Sequence, residues 1–113
     1  MSLVYKILPR SDWEAALAAG AYEGSALDRK DGFIHLSTAA QAAETARRHF
    51  AGQADLVLVA IEGDDLAGAL RWEPSRGGDL FPHLYGGLDP KMARTVRPAP
   101  LAADGVPVLG PLA

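Results

Sequence analysis

The sequence has no cysteine. Disulfides, thiolate catalysis and cysteine-based metal sites are therefore excluded. It also lacks a basic cluster: eleven Lys and Arg stand against fourteen Asp and Glu, and the cations are scattered. That balance leaves no electrostatic footprint for nucleic acid or an anionic membrane. Every apolar run is too short to span a bilayer. Residues Met1-Ser2-Leu3-Val4-Tyr5-Lys6 lack a charged start followed by a long apolar segment. No signal peptide is expected, and the cytoplasm is the expected compartment. There is no Gly-x-Ser-x-Gly elbow and no Walker loop. The histidines are His35, His49 and His83, and no pair has a ligand spacing such as His-x-x-x-His, so no metal is expected.

What remains is an ordinary globular composition, 49% apolar and 22% charged over 113 residues, which predicts one domain spanning residues 1–113. We expect a monomer. Leu3 to Leu8 reads as a first strand ending at Pro9. Ser11-Asp12-Trp13-Glu14 has the form of a capping box, opening a helix whose face carries Trp13, Ala16 and Leu17 and whose exit is Gly20. Tyr22 to Asp31 has no clean period and reads as a loop. Phe33 to Ser37 reads as a short strand. Thr38-x-x-Gln41 is a second capping box, opening a helix from Ala39 to Phe50 with Ala42, Ala46, His49 and Phe50 on one stripe. The apolar run Leu56 to Ile61 predicts a central strand buried on both faces. Leu66 to Ala69 reads as a helical turn. Leu70 to Glu73 alternates as a strand stopped by Pro74. A glycine loop, Ser75 to Asp79, leads to extended Leu80–Tyr85, where Pro82 argues for an edge or interrupted strand. Ala93 to Val96 is a last short strand, and the tail from Pro98 is irregular. The pattern is α+β, with two main helices.

Three patches carry the candidate chemistry. In an extended Phe33–Ser37, alternation puts Phe33, His35 and Ser37 on one side. Ser37 and Thr38 then stand at a helix mouth, where free N–H groups favour an anion or a polarised oxygen. Capping alone also accounts for Thr38. In the second patch, Glu73 and Arg76 flank Gly77-Gly78; a guanidinium beside glycines suits bidentate anion binding, and a solvated ion pair is the plainer alternative. In the third, Phe81, His83 and Tyr85 share a face if the segment is extended, and can stack a flat ring while His83 supplies a hydrogen bond. His35 could also serve as a general base for Ser37 or a water, which makes a hydrolase a further option.

Tyr5-Lys-Ile, Trp13 with Gly20 and Tyr22, Asp-Gly-Phe-Ile-His-Leu-Ser-Thr, Leu-Val-Leu-Val-Ala-Ile, Arg-Trp-Glu and Leu-Phe-Pro-His-Leu-Tyr-Gly resemble the domain-of-unknown-function 952 family, from about Val4 to Val96. The resemblance implies a fold similar to the ADP-ribosyltransferases: a small, bent, split mixed sheet around a cleft for NAD. NAD as substrate, or a related nucleotide-like small molecule, is the implied ligand. Transferase or NAD-glycohydrolase chemistry is the implied activity. Ser37 and Thr38 resemble the superfamily's nicotinamide-flanking pair. Glu73 takes the place of its cation-stabilising glutamate. Tyr5-Lys6 stand where the superfamily has His or Arg, which leaves His35, His83 or Arg76 to hold ribose or phosphate. The implied catalytic set is His35, Glu73 and His83; the implied ligand contacts are Ser37, Thr38, Arg76, Phe81 and Tyr85. The alternative is a non-catalytic small-ligand sensor or protein-interaction module.

Overall fold

A computed structural model describes residues 2–66 and 68–112, the side chain of Arg76 excepted. Its strands are β1 (Leu3–Pro9), β2 (Ile34–His35), β3 (Ser37–Thr38), β4 (Leu56–Glu62), β5 (Leu70–Ser75), β6 (Asp79–Leu84) and β7 (Ala93–Ala99). Its helices are α1 (Arg10–Ala19), α2 (Ala26–Asp31) and α3 (Ala39–His49). The strands form two sheets, ordered β3-β1-β4-β7 and β2-β6-β5. The class is α+β, as the pattern predicts.

Every ladder among the described residues is antiparallel, which corrects the expectation of a mixed sheet. The reason lies in one connection. β3 and β4 both pair antiparallel to β1, on its opposite edges, so they run parallel to each other. The β3–α3–β4 crossover passes over β1, and its two parallel strands never become neighbours. β4 is central, and all seven of its residues are buried. Val57, Val59 and Ile61 join Val4, Leu8 and Trp13 in one apolar cluster that extends to Ile34 and Leu84 of the second sheet. Leu56, Leu58 and Ala60 join Tyr5, Ile7 and Ala46 of α3 in another. The first sheet therefore has α1 on one face and α3 on the other.

A third helix corrects the loop reading of Tyr22–Asp31. Ser25 caps α2: its Oγ accepts from the Asp28 N–H at 3.1 Å, and Asp28 Oδ2 accepts from the Ser25 N–H at 2.9 Å. Gly32 ends the helix in the left-handed region, at φ 88°. The box at Ser11 does not form. Pro9 is the residue before the helix, and the Arg10 N–H donates to the Asp55 carbonyl at 2.9 Å. The helix thus starts ahead of Ser11. Leu17, placed by pattern on the buried face, is 55% exposed.

β5 runs on through Pro74 to Ser75, and β7 reaches Ala99. The helical turn read at Leu66–Ala69 falls instead at Gly63–Leu66, as a 3₁₀ turn, and Ala67 lies outside the described residues. β6, despite Pro82, is the middle strand of its sheet. The Pro82 carbonyl accepts from the Leu36 N–H at 3.1 Å. In a strand, a residue's nitrogen and carbonyl face the same edge, so the missing donor faces the end of two-residue β2 and takes nothing from β5.

The stretch 34–38 joins the two sheets. His35 pairs with His83 in one, and Ser37 pairs with Tyr5 in the other. The chain changes sheets at Leu36. Among the described residues, no helix is long and apolar enough to cross a membrane.

Candidate functional site

A cavity of about 460 Å³ opens at this junction, walled by β1, α2, the 35–37 link, α3 and β6. Its apolar wall includes Tyr5, Ile7, Leu27, Phe50 and Phe81; its polar lining includes His35, Ser37, Asp28, Asp31 and His83. Four of the sequence-predicted residues therefore border one space: His35, Ser37, Phe81 and His83. Thr38, Glu73 and Tyr85 stand outside the lining. The side chain of Arg76 lies outside the described residues.

Each polar group has a definite role. Asp28 is 2% exposed and saturated. Its Oδ2 accepts from Lys6 Nζ at 2.9 Å and from the Ser25 N–H. Its Oδ1 accepts from His35 Nδ1 at 2.6 Å and from the His35 N–H at 3.1 Å. Burial works to raise this carboxyl, but the bonds from His35, Lys6 and Ser25 outweigh it and hold the group well below the usual carboxylate range. Lys6, from β1, also donates to the His35 carbonyl at 3.1 Å. Burial draws its ammonium below the usual lysine value, against the pull of Asp28. His35 completes the chain outward, with Nε2 3.0 Å from Asp31 Oδ2. Each ring nitrogen thus faces a carboxylate oxygen.

His83 is the second imidazole. Its ring is buried, Nδ1 is 2.7 Å from Glu73 Oε1, and the Tyr85 hydroxyl donates to the same oxygen at 2.8 Å. Those bonds, from His83 first and Tyr85 second, lower the Glu73 carboxyl below its usual value. An ionised Glu73 accepts, so Nδ1 donates. Nε2 has no hydrogen-bond partner among the described residues. Among the described residues, the sealed side-chain atom without a partner is Tyr22 Oη, whose burial, with Asp28 nearby, pushes the phenol above its usual value. Phe33 stacks on the His83 ring at 4.0 Å and meets His35 at 4.6 Å, which fixes both rings from behind. The two imidazole centroids are 5.6 Å apart.

The hydroxyls are committed elsewhere. Thr45 donates to the Gln41 carbonyl at 3.1 Å, so the 2.7 Å contact between Ser37 and Thr45 is carried by the Ser37 proton. Ser37 therefore has no base at its hydroxyl, and His35 has both nitrogens occupied. The hydrolase option built on that pair loses its geometry. Thr38 forms the expected box with Gln41, and Gln41 Nε2 ties α3 to the second sheet through the Leu80 carbonyl at 2.8 Å.

Sequence reasoning missed Lys6, Asp28, Asp31 and Thr45. The signal for the aspartates was present: Ser25-x-x-Asp28 is a box with an acid at N3, set between Gly24 and Gly32. Its six-residue helix is too short to show a period. Among the described residues, no group of three or more His, Asp and Glu side chains is arranged to hold a metal ion.

Residues 7–96 match the family described as "Protein of unknown function (DUF952)". The chain is also similar to CC0527 of Caulobacter crescentus. The crystal structure of that protein is 54% identical over 96% of each chain, with a TM-score of 0.94. Its solution NMR structure is 55% identical over 97% of this chain and 95% of that one, with a TM-score of 0.87. No curated protein matches.

Proposed function

Since the chain belongs to the DUF952 family of proteins of unknown function, whose match takes in all the cavity lining but Tyr5 and Lys6, we propose that this cavity binds a small nucleotide-ribose ligand of the NAD type, within an ADP-ribosyltransferase-like fold. The division of the strands into two sheets that part at Leu36 supports the fold reading. A volume of about 460 Å³ falls in the range of small-molecule sites and suits the ribose and one ring of such a ligand. The apolar wall of Tyr5, Phe50 and Phe81 suits a flat ring.

One observation carries the chemical part of the proposal: His83 lines the cavity and is buried, with Nδ1 held by Glu73 and no partner for Nε2 among the described residues. A carboxylate behind Nδ1 fixes the tautomer whose Nε2 is a base. Glu73 then acts through His83 and not on the ribosyl cation directly. In NAD hydrolysis, water would bond to the ribose carbon as the carbon–nitrogen bond breaks. Its electron pair leaves with nicotinamide, and His83 Nε2 takes the water's proton. The ligand is a soluble small molecule, and the protein acts without metal.

The sensor reading is favoured by a different observation. Asp28, a buried carboxylate of the cavity lining, has both oxygens filled. A nicotinamide-release assay, run beside melting curves with NAD and ADP-ribose, separates the two. Release lost in H83A supports catalysis. Melting shifts without release support the sensor. Neither shift nor release overturns the proposal.

A further inference from the structure

β5 is an edge strand, and its outer edge is bonded to no described residue. The direction of its backbone groups follows from its one ladder. The Tyr85 N–H donates to the Ala69 carbonyl at 2.8 Å, so the register puts Arg71, Glu73 and Ser75 in the bonded positions against β6. Pro82, opposite Trp72, turns its carbonyl to Leu36 on the β2 side, which agrees. Leu70, Trp72 and Pro74 therefore turn their backbone groups outward. By alternation their side chains share one sheet face with Leu80, the cross-strand partner of Pro74. Trp72 is 44% and Leu80 53% exposed, so apolar side chains lie beside an open ladder.

A second copy of the strand fits this edge in one register. Two antiparallel copies must meet through Leu70, Trp72 and Pro74, the residues that point outward. With Trp72 opposite itself, Arg71 of each copy stands against Glu73 of the other. The next bonded register in one direction sets Arg71 against its own copy; in the other it sets Glu73 against its own copy. Pro74 has no N–H to give, but its carbonyl can still accept from the Leu70 N–H of the other copy. The outer edge of the first sheet, β7, carries Arg94 and Arg97 and no acid, so no such pairing of opposite charges exists there.

The flanking charges are free to make these contacts. Arg71 lies over the Tyr85 ring at 5.5 Å and forms no ion pair among the described residues. Glu73 holds His83 and Tyr85 through Oε1 alone, and its Oε2 has no hydrogen-bond partner among the described residues.

We propose that β5 is the contact of a two-fold dimer, in place of the expected monomer. Two chains join antiparallel about Trp72, their three-stranded sheets meeting edge to edge, and the Arg71 of one chain binds the Glu73 of the other behind His83. The second copy thus adds a cation to the Glu73–His83 pair of the cavity. Pairing at β5 needs no ligand, so its failure and that of the cavity proposal are separable.

The test is sedimentation velocity of the whole chain from about 10 µM to 1 mM, the range in which a small interface associates. A dimer that grows with concentration is expected. R71E sets acid against acid on both sides of Trp72 and is expected to weaken the dimer about tenfold or more; E73R sets cation against cation and does the same. An equimolar mixture of R71E and E73R restores opposite charges and is expected to dimerise about as tightly as wild type. A wild type that stays monomeric throughout, a dimer that R71E leaves unchanged, or a mixture of folded variants that stays monomeric overturns the proposal. Amide hydrogen exchange needs no variant and decides the matter if E73R fails to fold. The Trp72 N–H, which faces the open edge, is expected to exchange several-fold more slowly at the high concentration than at the low one. The Arg71 N–H, already bonded to β6, is expected to stay as it is. A Trp72 amide whose exchange ignores concentration overturns the assignment of the contact to β5.

Discussion

Asp28→Asn is the most informative single substitution, because it leaves the shape of the site and removes one charge. Asp28 is 2% exposed and receives four donors, two of them from Lys6 and His35 side chains. An asparagine keeps one carbonyl oxygen but turns an amide towards donors. It also strands the Lys6 ammonium, itself 7% exposed. Breaking one side of a buried ion pair costs about 3–5 kcal/mol. For a chain of 113 residues, about 4 °C of melting temperature accompanies each kcal/mol, so D28N is expected to melt about 12–20 °C lower. The sign with pH follows from the depressed carboxyl. Its contribution is fully present above the unfolded aspartate value, about 4, and is lost as pH falls through the lower folded value. D28N therefore flattens the acid limb of the stability profile as well as lowering its plateau. The assay is thermal and urea unfolding by circular dichroism between pH 3 and 8. Adding Lys6→Met to D28N removes the stranded charge and recovers part of the loss, since the methionine retains an apolar stem. A D28N protein that melts within about 4 °C of wild type, with an unchanged acid limb, refutes the reasoning that this pair anchors α2 over the cavity.

Gly24 and Gly32 flank α2 and separate two effects. Gly24 has φ 103°, and an added Cβ would lie 2.7 Å from Asp28 Cβ, so G24A is expected to cost more than about 2 kcal/mol by urea unfolding. Gly32 has φ 88° but open space around it, so G32A should cost only about 1–2 kcal/mol; equal effects contradict the packing argument. Thr38→Ala removes the cap of α3 and is expected to cost about 1 kcal/mol, read in the same assay. Glu73→Gln leaves His83 free to exchange tautomers. If the protein releases nicotinamide from NAD, E73Q should lower that rate about 10²-fold or more, and an unchanged rate removes Glu73 from the account.

Much of the framework was legible because it follows local rules. The Leu56–Ile61 run could only be central, and Thr38 with Gln41 could be paired by spacing alone. Other features depend on contacts that no local pattern contains. Whether Ser11 caps α1 is decided by Asp55, forty-four residues on, whose carbonyl takes the Arg10 N–H and starts the helix early. Pro82 reads as an edge residue until β2 is seen to stop beside it. His35 and His83 stood out as imidazoles in apolar strands, but their pairing across β2 and β6 is a register, not a motif. The aspartates were missed for another reason: α2 is short, and its charge is matched by a lysine buried in β1, where a strand pattern predicts only an apolar side chain.

Long-range ¹H–¹⁵N spectroscopy of the imidazole nitrogens tests the proposed base, His83 Nε2, directly. A protonated Nδ1 and a lone-pair Nε2 are expected in the free protein, with Nε2 shifting on saturation with NAD or ADP-ribose. A protonated Nε2 in the free protein at pH 7.5, or an Nε2 resonance that neither compound moves, would contradict it.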